Sequence, residues 1–140
     1  LAVVIGTVFG SLSGYFGGKV DDFIVWLYTT IATIPYILLV IAFSFVMGSG
    51  TKVLCLALGL TGWVGICRVV RGEYIKHRDR EYVHAAAAIG ASHARRAFIH
   101  ILPNVFHIVL IQFSLGFVGV IKSEVILSYL GLFWLIFFHR

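Results

Sequence analysis

Long runs without charge alternate with one dense polar island, and that alternation restricts the chain to folds that a bilayer can solvate. Between Arg68 and His100 stand seven of the eleven basic residues, Arg68, Arg71, Lys76, Arg78, Arg80, Arg95 and Arg96, together with four of the six histidines. The flanking stretches are almost purely apolar. With 60% of 140 residues hydrophobic and only 12% charged, a soluble domain of this size has too little interior to hide its apolar surface.

A transmembrane helix needs about 20 apolar residues, rising about 1.5 Å each, to cross about 30 Å of hydrocarbon. Four segments qualify. The first is 1–18, the second lies between Asp22 and Lys52 with Pro35 inside it, and the fourth runs from near Pro103 past Gly119. The third, between Lys52 and Arg68, is short, and crosses only if Lys52, Arg68 and Arg71 extend their stems toward the headgroups. The expected fold class is all-α: a polytopic membrane helical bundle of about four transmembrane helices with a cytoplasmic loop between the third and fourth.

The net charge of +5 would indicate nucleic acid in a soluble chain. Here the excess sits in one loop between apolar helices, which sets orientation and implies no nucleic-acid partner. A cytoplasmic island places both Leu1 and Arg140 on the far side. Cys55 and Cys67, twelve positions apart, have no CxxC spacing and read as reduced packing residues. The 1–18 segment lacks the basic start of a signal peptide.

Gly6, Gly10 and Gly14 repeat every four residues and form one smooth helical stripe for close approach of another helix. Gly59, Gly62 and Gly65, and Gly116 with Gly119, offer similar seams. Pro35 removes a backbone donor, so a kink is expected there, with Thr33 or a neighbour meeting the freed carbonyl. Lys122 and Glu124, two positions apart, do not face each other on a helix. No ionisable group is expected at mid-membrane, which argues against a proton relay or a coupling-ion site.

The segment from Ser13 to Val20 has the spacing of a phosphate-binding loop, but Ser13 stands where its first glycine belongs and Val20 where its hydroxyl residue belongs. His77, His84, His93 and His100 lack the i, i+4 spacing of a helical metal site, and no cysteine joins them. No nucleophile elbow or convergent carboxylate set occurs. The expectation is therefore no catalytic residue, no metal, no cofactor and no enzymatic activity.

From Glu81 to Asn104 the island reads as a helix of small residues, an interruption at Gly90, a second helix capped by Ser92, and a turn at Pro103 and Asn104 into the fourth span. A helix faced with alanine makes a poor core and a good insert for a groove on another protein.

At these residues the chain resembles the inner-membrane permease subunits of binding-protein-dependent ABC importers of the dipeptide/oligopeptide type. Ala85, Ala86, Gly90, Leu102 and Pro103 match the family's cytoplasmic signature. The runs 88–92, 100–104, 14–18, 61–63 and 127–132 match the peptide subfamily in order. His84 stands where the signature has glutamate and Ala87 where arginine is common, with Glu81 one helical turn earlier. The resemblance implies that 81–104 is the ATPase-coupling loop, with Glu81, His84, Ala85, Ala86, Gly90, His100, Leu102 and Pro103 as its contact residues. It also implies ATP-binding subunits, a second permease subunit, an extracytoplasmic solute-binding protein and membrane lipid as partners, with ATP held by the partner.

The expected domain is an ABC-importer transmembrane domain over 1–132, incomplete because relatives carry one span before Leu1 and another after the Leu-Gly-Leu run, followed by a divergent tail at 133–140. The function implied is passage of di- or oligopeptides, or a similar small solute, across a bacterial or archaeal cytoplasmic membrane. The alternatives are an ion channel or ion-coupled carrier, and a truncated permease without transport activity.

Overall fold

The computed structural model describes residues 1–35 and 58–129, with the isolated positions 38, 39, 42, 46 and 56. Among the described residues there are helices and turns and no strand, in keeping with the all-α expectation. Cys55, the middle of the expected second span and the tail 133–140 lie outside them.

Helix α1 covers Ala2–Phe16 and α2 covers Gly18–Ala32. The chain reverses between them at Gly17 and Gly18, both at positive φ (64° and 52°), a backbone region that side chains with a Cβ rarely enter. A two-glycine reversal needs no loop. Lys19, Asp21 and Asp22, which the sequence reading leaves between spans, therefore fall in the first turns of α2, and Asp21 lies where a helix N-terminus favours a carboxylate.

Pro35 does not kink a continuous helix. The α-helical run of α2 ends at Ala32, and the Pro35 carbonyl accepts hydrogen bonds from Leu38 and Leu39 at 2.9 and 3.2 Å, opening a separate turn. Thr33 does not cap a freed proline site either: its hydroxyl donates to the Thr30 carbonyl at 2.7 Å. A proline cannot supply the donor that the preceding turn requires, and here the helix stops short of it.

Helix α3, Trp63–Arg78, is the centre of the molecule. It does not stop at Arg68, because Ile66, Val70 and Tyr74 continue an i, i+4 buried stripe into the polar island. One side of α3 meets α1 and α2, where Trp63 and Cys67 pack with Ile24 and Tyr28. Its other side packs through Val70 and Tyr74 onto Val83, Ala97, Ile101 and Val105.

The α1–α3 contact is made by backbone. A Cβ on Gly6 would lie 2.7 Å from Ile66 Cβ, on Gly10 2.8 Å from Val70 Cβ, and on Gly14 2.5 Å from Tyr74 Cβ. The constant offset of these pairs makes α1 and α3 parallel, so their C-terminal ends lie together beside the island. The other seams differ: Gly59 and Gly62 approach Leu1 and Ala2, whereas among the described residues added Cβ atoms on Gly65, Gly116 and Gly119 would meet nothing within 4 Å.

Helix α4 is Glu81–Ala88, and α5, His93–Arg95, runs through a π-type segment, Arg96–Ile101, into α6, Leu102–Tyr129. The expected turn at Pro103 and Asn104 is absent. The widened π segment lies directly before Pro103, relieving the clash a proline makes with the carbonyl four residues back, and Asn104 Nδ2 donates to the His100 carbonyl at 2.7 Å. Past Val109, α6 leaves the bundle and is exposed along nearly its whole length. His93–Ile126 is the one helix among the described residues long and apolar enough to cross a membrane; α1 is a shorter apolar helix.

Candidate functional site

The surface that unites most of the expected contact residues is built on α4. Arg80 adopts extended backbone (φ −79°, ψ 149°) and its carbonyl accepts from Val83 and His84, starting the helix. Val83 and Ala86, three apart, turn inward and are buried. Glu81, His84, Ala85 and Ala88 face solvent, so three of the expected contact residues share an exposed face while Ala86 anchors the helix from beneath.

The helix ends in a Schellman arrangement. Ala91 N–H donates to the Ala86 carbonyl and Gly90 N–H to the Ala87 carbonyl, both at 3.0 Å, with Gly90 at φ +86°. Glycine belongs here for its backbone, since no atom crowds its missing Cβ. Two residues on, the Ser92 hydroxyl accepts from Arg95 N–H at 3.3 Å and caps α5. Helix, elbow and helix are thus each closed by local hydrogen bonds.

Ile89, next to the elbow, is 85% exposed. The sequence places it only within the 88–92 run and gives it no role of its own. The clue available was that the buried positions of α4, Val83 and Ala86, call next for 90 rather than 89 on the same face. His100, Leu102 and Pro103 are not part of this surface: they belong to the π segment and the start of α6, with His100 and Leu102 partly buried and Pro103 exposed.

Two polar clusters tie the helices together, and the first holds the elbow to the bundle. Tyr82 and His77 Nδ1 are hydrogen-bonded at 2.9 Å. Burial, reinforced by the Arg80 charge, lowers the His77 pKa, and burial raises that of Tyr82. The buried Tyr74 hydroxyl donates to the Ala97 carbonyl at 3.1 Å, and desolvation pushes its pKa up to about 12, which keeps the proton on the donor.

The second cluster joins helices 50 residues apart. Arg71 grips Asp21 with two hydrogen bonds, Nε at 2.5 Å and Nη2 at 2.6 Å, and the Ser13 hydroxyl donates to the same carboxylate. The Arg71 guanidinium holds the Asp21 carboxyl below its usual range. Arg68 lies over the Tyr28 ring, 5.1 Å from its centre. Both arginines are thus engaged with α2 instead of extending to headgroups as the sequence reading required. No sequence signal foretells the Asp21–Arg71 pairing, because it depends on which helix ends the fold brings together.

Comparison with known proteins places this geometry in context. Residues 6–137 match the family described as binding-protein-dependent transport system inner membrane component. The chain is 35% identical over 132 residues to the oligopeptide transport system permease protein OppC of Bacillus subtilis, covering 94% of this chain and 43% of that protein. It is 36% identical over 129 residues to the dipeptide transport system permease protein DppC of the same organism, covering 92% and 40%. To OppC of Haemophilus influenzae it is 34% identical over 132 residues, covering 94% and 42%. The chain spans less than half the length of these curated relatives.

Proposed function

Because the chain belongs to the binding-protein-dependent transport system inner membrane components, we propose that it acts as a permease subunit of an ATP-driven peptide importer, with α4 and its elbow as the coupling contact to a separate ATPase subunit. The relatives named for oligopeptide and dipeptide transport support peptides as the solute. The subunit is a translocation component that works with a second permease and an extracytoplasmic solute-binding protein, and it hydrolyses no ATP itself.

The observation that carries the reading is the exposed face of α4 ending in Ile89. A solvent-exposed isoleucine beside a fixed glycine elbow is an apolar anchor with no place in its own core, rimmed by the polar groups of Glu81 and His84. Val83 shares a buried cluster with Val70 and Tyr74 of α3 and with Ala97 and Ile101 of the π segment that leads into α6, so a push on α4 is transmitted to the bundle rather than absorbed by a loop. That is a mechanical linkage, and it calls for no catalytic group.

Co-purification of the full-length protein with its ATPase subunits tests the assignment. Ile89→Asp forces a carboxylate into the docking groove and is expected to weaken association about tenfold or more, with helicity by circular dichroism unchanged. Gly90→Pro, which fixes the elbow in the wrong backbone region, is expected to leave ATP hydrolysis uncoupled from peptide uptake. ATPase association undiminished by Ile89→Asp and by deletion of 84–101 would sink the coupling role.

A further inference from the structure

An open cleft of about 330 Å³ lies between the C-terminal end of α1 and the α4–α5 segment. Tyr15 and Phe16 at the end of α1 give the lining an apolar wall, and Arg78, Arg96, His84 and His93 bring its basic groups. Asp79 is the acidic group of the lining, and it is 73% exposed, with its carboxylate 3.5 Å from Arg78 Nε. One loosely held carboxylate leaves two guanidinium charges incompletely balanced.

The hydrogen bonds show where the unused capacity lies. Arg96 Nη2 and the Tyr15 hydroxyl both lie 3.1 Å from His93 Nδ1. A guanidinium can only donate, so Nδ1 is the acceptor in the contact with Arg96. Among the described residues Arg96 Nε is buried without a hydrogen-bond partner, so its desolvation is uncompensated within the protein, and the same side chain lines the cleft. Arg78 reaches only the Gly14 carbonyl at 3.4 Å and Asp79 at 3.5 Å, both long for a guanidinium.

We propose that this cleft binds the phosphate of an anionic phospholipid headgroup, with Arg96 and Arg78 as its cationic contacts. A lipid fits better than a free anion because the apolar wall continues out of the cleft. Phe16 is 52% exposed, and Val8 and Val4 further along α1 are 41% and 65% exposed, so an acyl chain has a greasy helix face to follow from the headgroup. A basic pocket between helices at the cytoplasmic boundary is the setting in which acidic headgroups are recognised. The boundary position rests on the membrane reading above; the anion chemistry does not.

The test uses the full-length protein reconstituted in nanodiscs that mix phosphatidylglycerol with phosphatidylcholine, followed by native mass spectrometry of the lipids retained. Wild type is expected to retain phosphatidylglycerol preferentially, and Arg78→Gln with Arg96→Gln to lower that occupancy about tenfold, the usual loss for charge-assisted hydrogen bonds. Arg96→Lys, which keeps the charge, is expected to retain an intermediate share. Arg78 lies outside α4, so Arg78→Gln alone reads the lipid site while Ile89→Asp reads the ATPase contact, and either assignment can fail without the other. Equal retention of the two lipids, or phosphatidylglycerol occupancy unchanged in the variants, overturns the proposal. So does inorganic phosphate binding without lipid preference, or an Arg78→Gln effect confined to ATPase affinity, which would assign the cleft to an acidic protein segment.

Discussion

Positions 14 and 90 both favour glycine, for opposite reasons. At Gly14 the backbone is ordinary helix and the space is missing: a Cβ would lie 2.5 Å from Tyr74 Cβ and 2.7 Å from the Arg71 carbonyl. At Gly90 the space is open and the conformation is special, with φ +86° and, among the described residues, no atom within 4 Å of an added Cβ. The first glycine belongs to a closed seam between two helices, the second to an exposed elbow. One region is built to stay together and the other stands open to solvent, and glycine serves both because it lacks the same atom.

The sharpest way to break that comparison is to add the missing methyl at each place. Gly14→Ala is expected to destabilise by about 3 kcal/mol, the upper end of overpacking costs, because Tyr74 Cβ and the Arg71 backbone have no flexible end that can yield. Gly116→Ala, on the exposed part of α6, is expected to stay within about 0.5 kcal/mol. Denaturant unfolding in mixed micelles measures both, and a Gly14 variant as stable as the Gly116 variant would refute the close seam.

A smaller effect is expected where polar groups reinforce the seam. Asp21→Asn keeps the shape and removes the charge that Arg71 holds; with the pair's side chains 18% and 27% exposed, the cost lies between surface and buried pairs, about 1–2 kcal/mol. The sign with pH follows from the lowered Asp21 pKa. The pair's contribution is fully present above the unfolded carboxylate value of about 4 and is lost as pH falls through the lower folded value. Unfolding midpoints measured from neutral to acid pH are expected to drop more steeply in wild type than in Asp21→Asn.

Smallest is the elbow itself. Gly90→Ala places a Cβ in left-handed backbone at a cost of about 1 kcal/mol, with no packing penalty to add. The same unfolding assay is expected to rank Gly14→Ala above Asp21→Asn above Gly90→Ala. A larger loss at Gly90 than at Gly14 would mean that the elbow, not the seam, holds the bundle.

The helical class, the glycine stripe 6–10–14 and the elbow at Gly90 with its Ser92 cap were legible in the residues alone, because each depends on neighbours within one or two turns. The expected kink at Pro35 and the turn at Pro103 were misread for a common reason. Proline states that a hydrogen bond is missing; whether the helix ends, as after Ala32, or widens into a π segment, as before Pro103, depends on what packs around it. From sequence Arg68 and Arg71 point to headgroups because their partners, Tyr28 and Asp21, lie about 40 and 50 residues away and are brought within reach only by the two-glycine reversal.

What the amino-acid order determined by itself is local: apolar length, small-residue periodicity, and the punctuation of helices by glycine, serine and proline, all of which act over a few residues of backbone. What the tertiary structure decided is which of these features acquire partners. Among the described residues, the packing of whole helices closed one glycine stripe and left Gly116 and Gly119 open, paired Asp21 with Arg71, left Ile89 exposed, and left Arg96 Nε without a hydrogen-bond partner. Such choices are made by long-range packing, where contact depends on the relative placement of whole helices and no sequence window contains both partners.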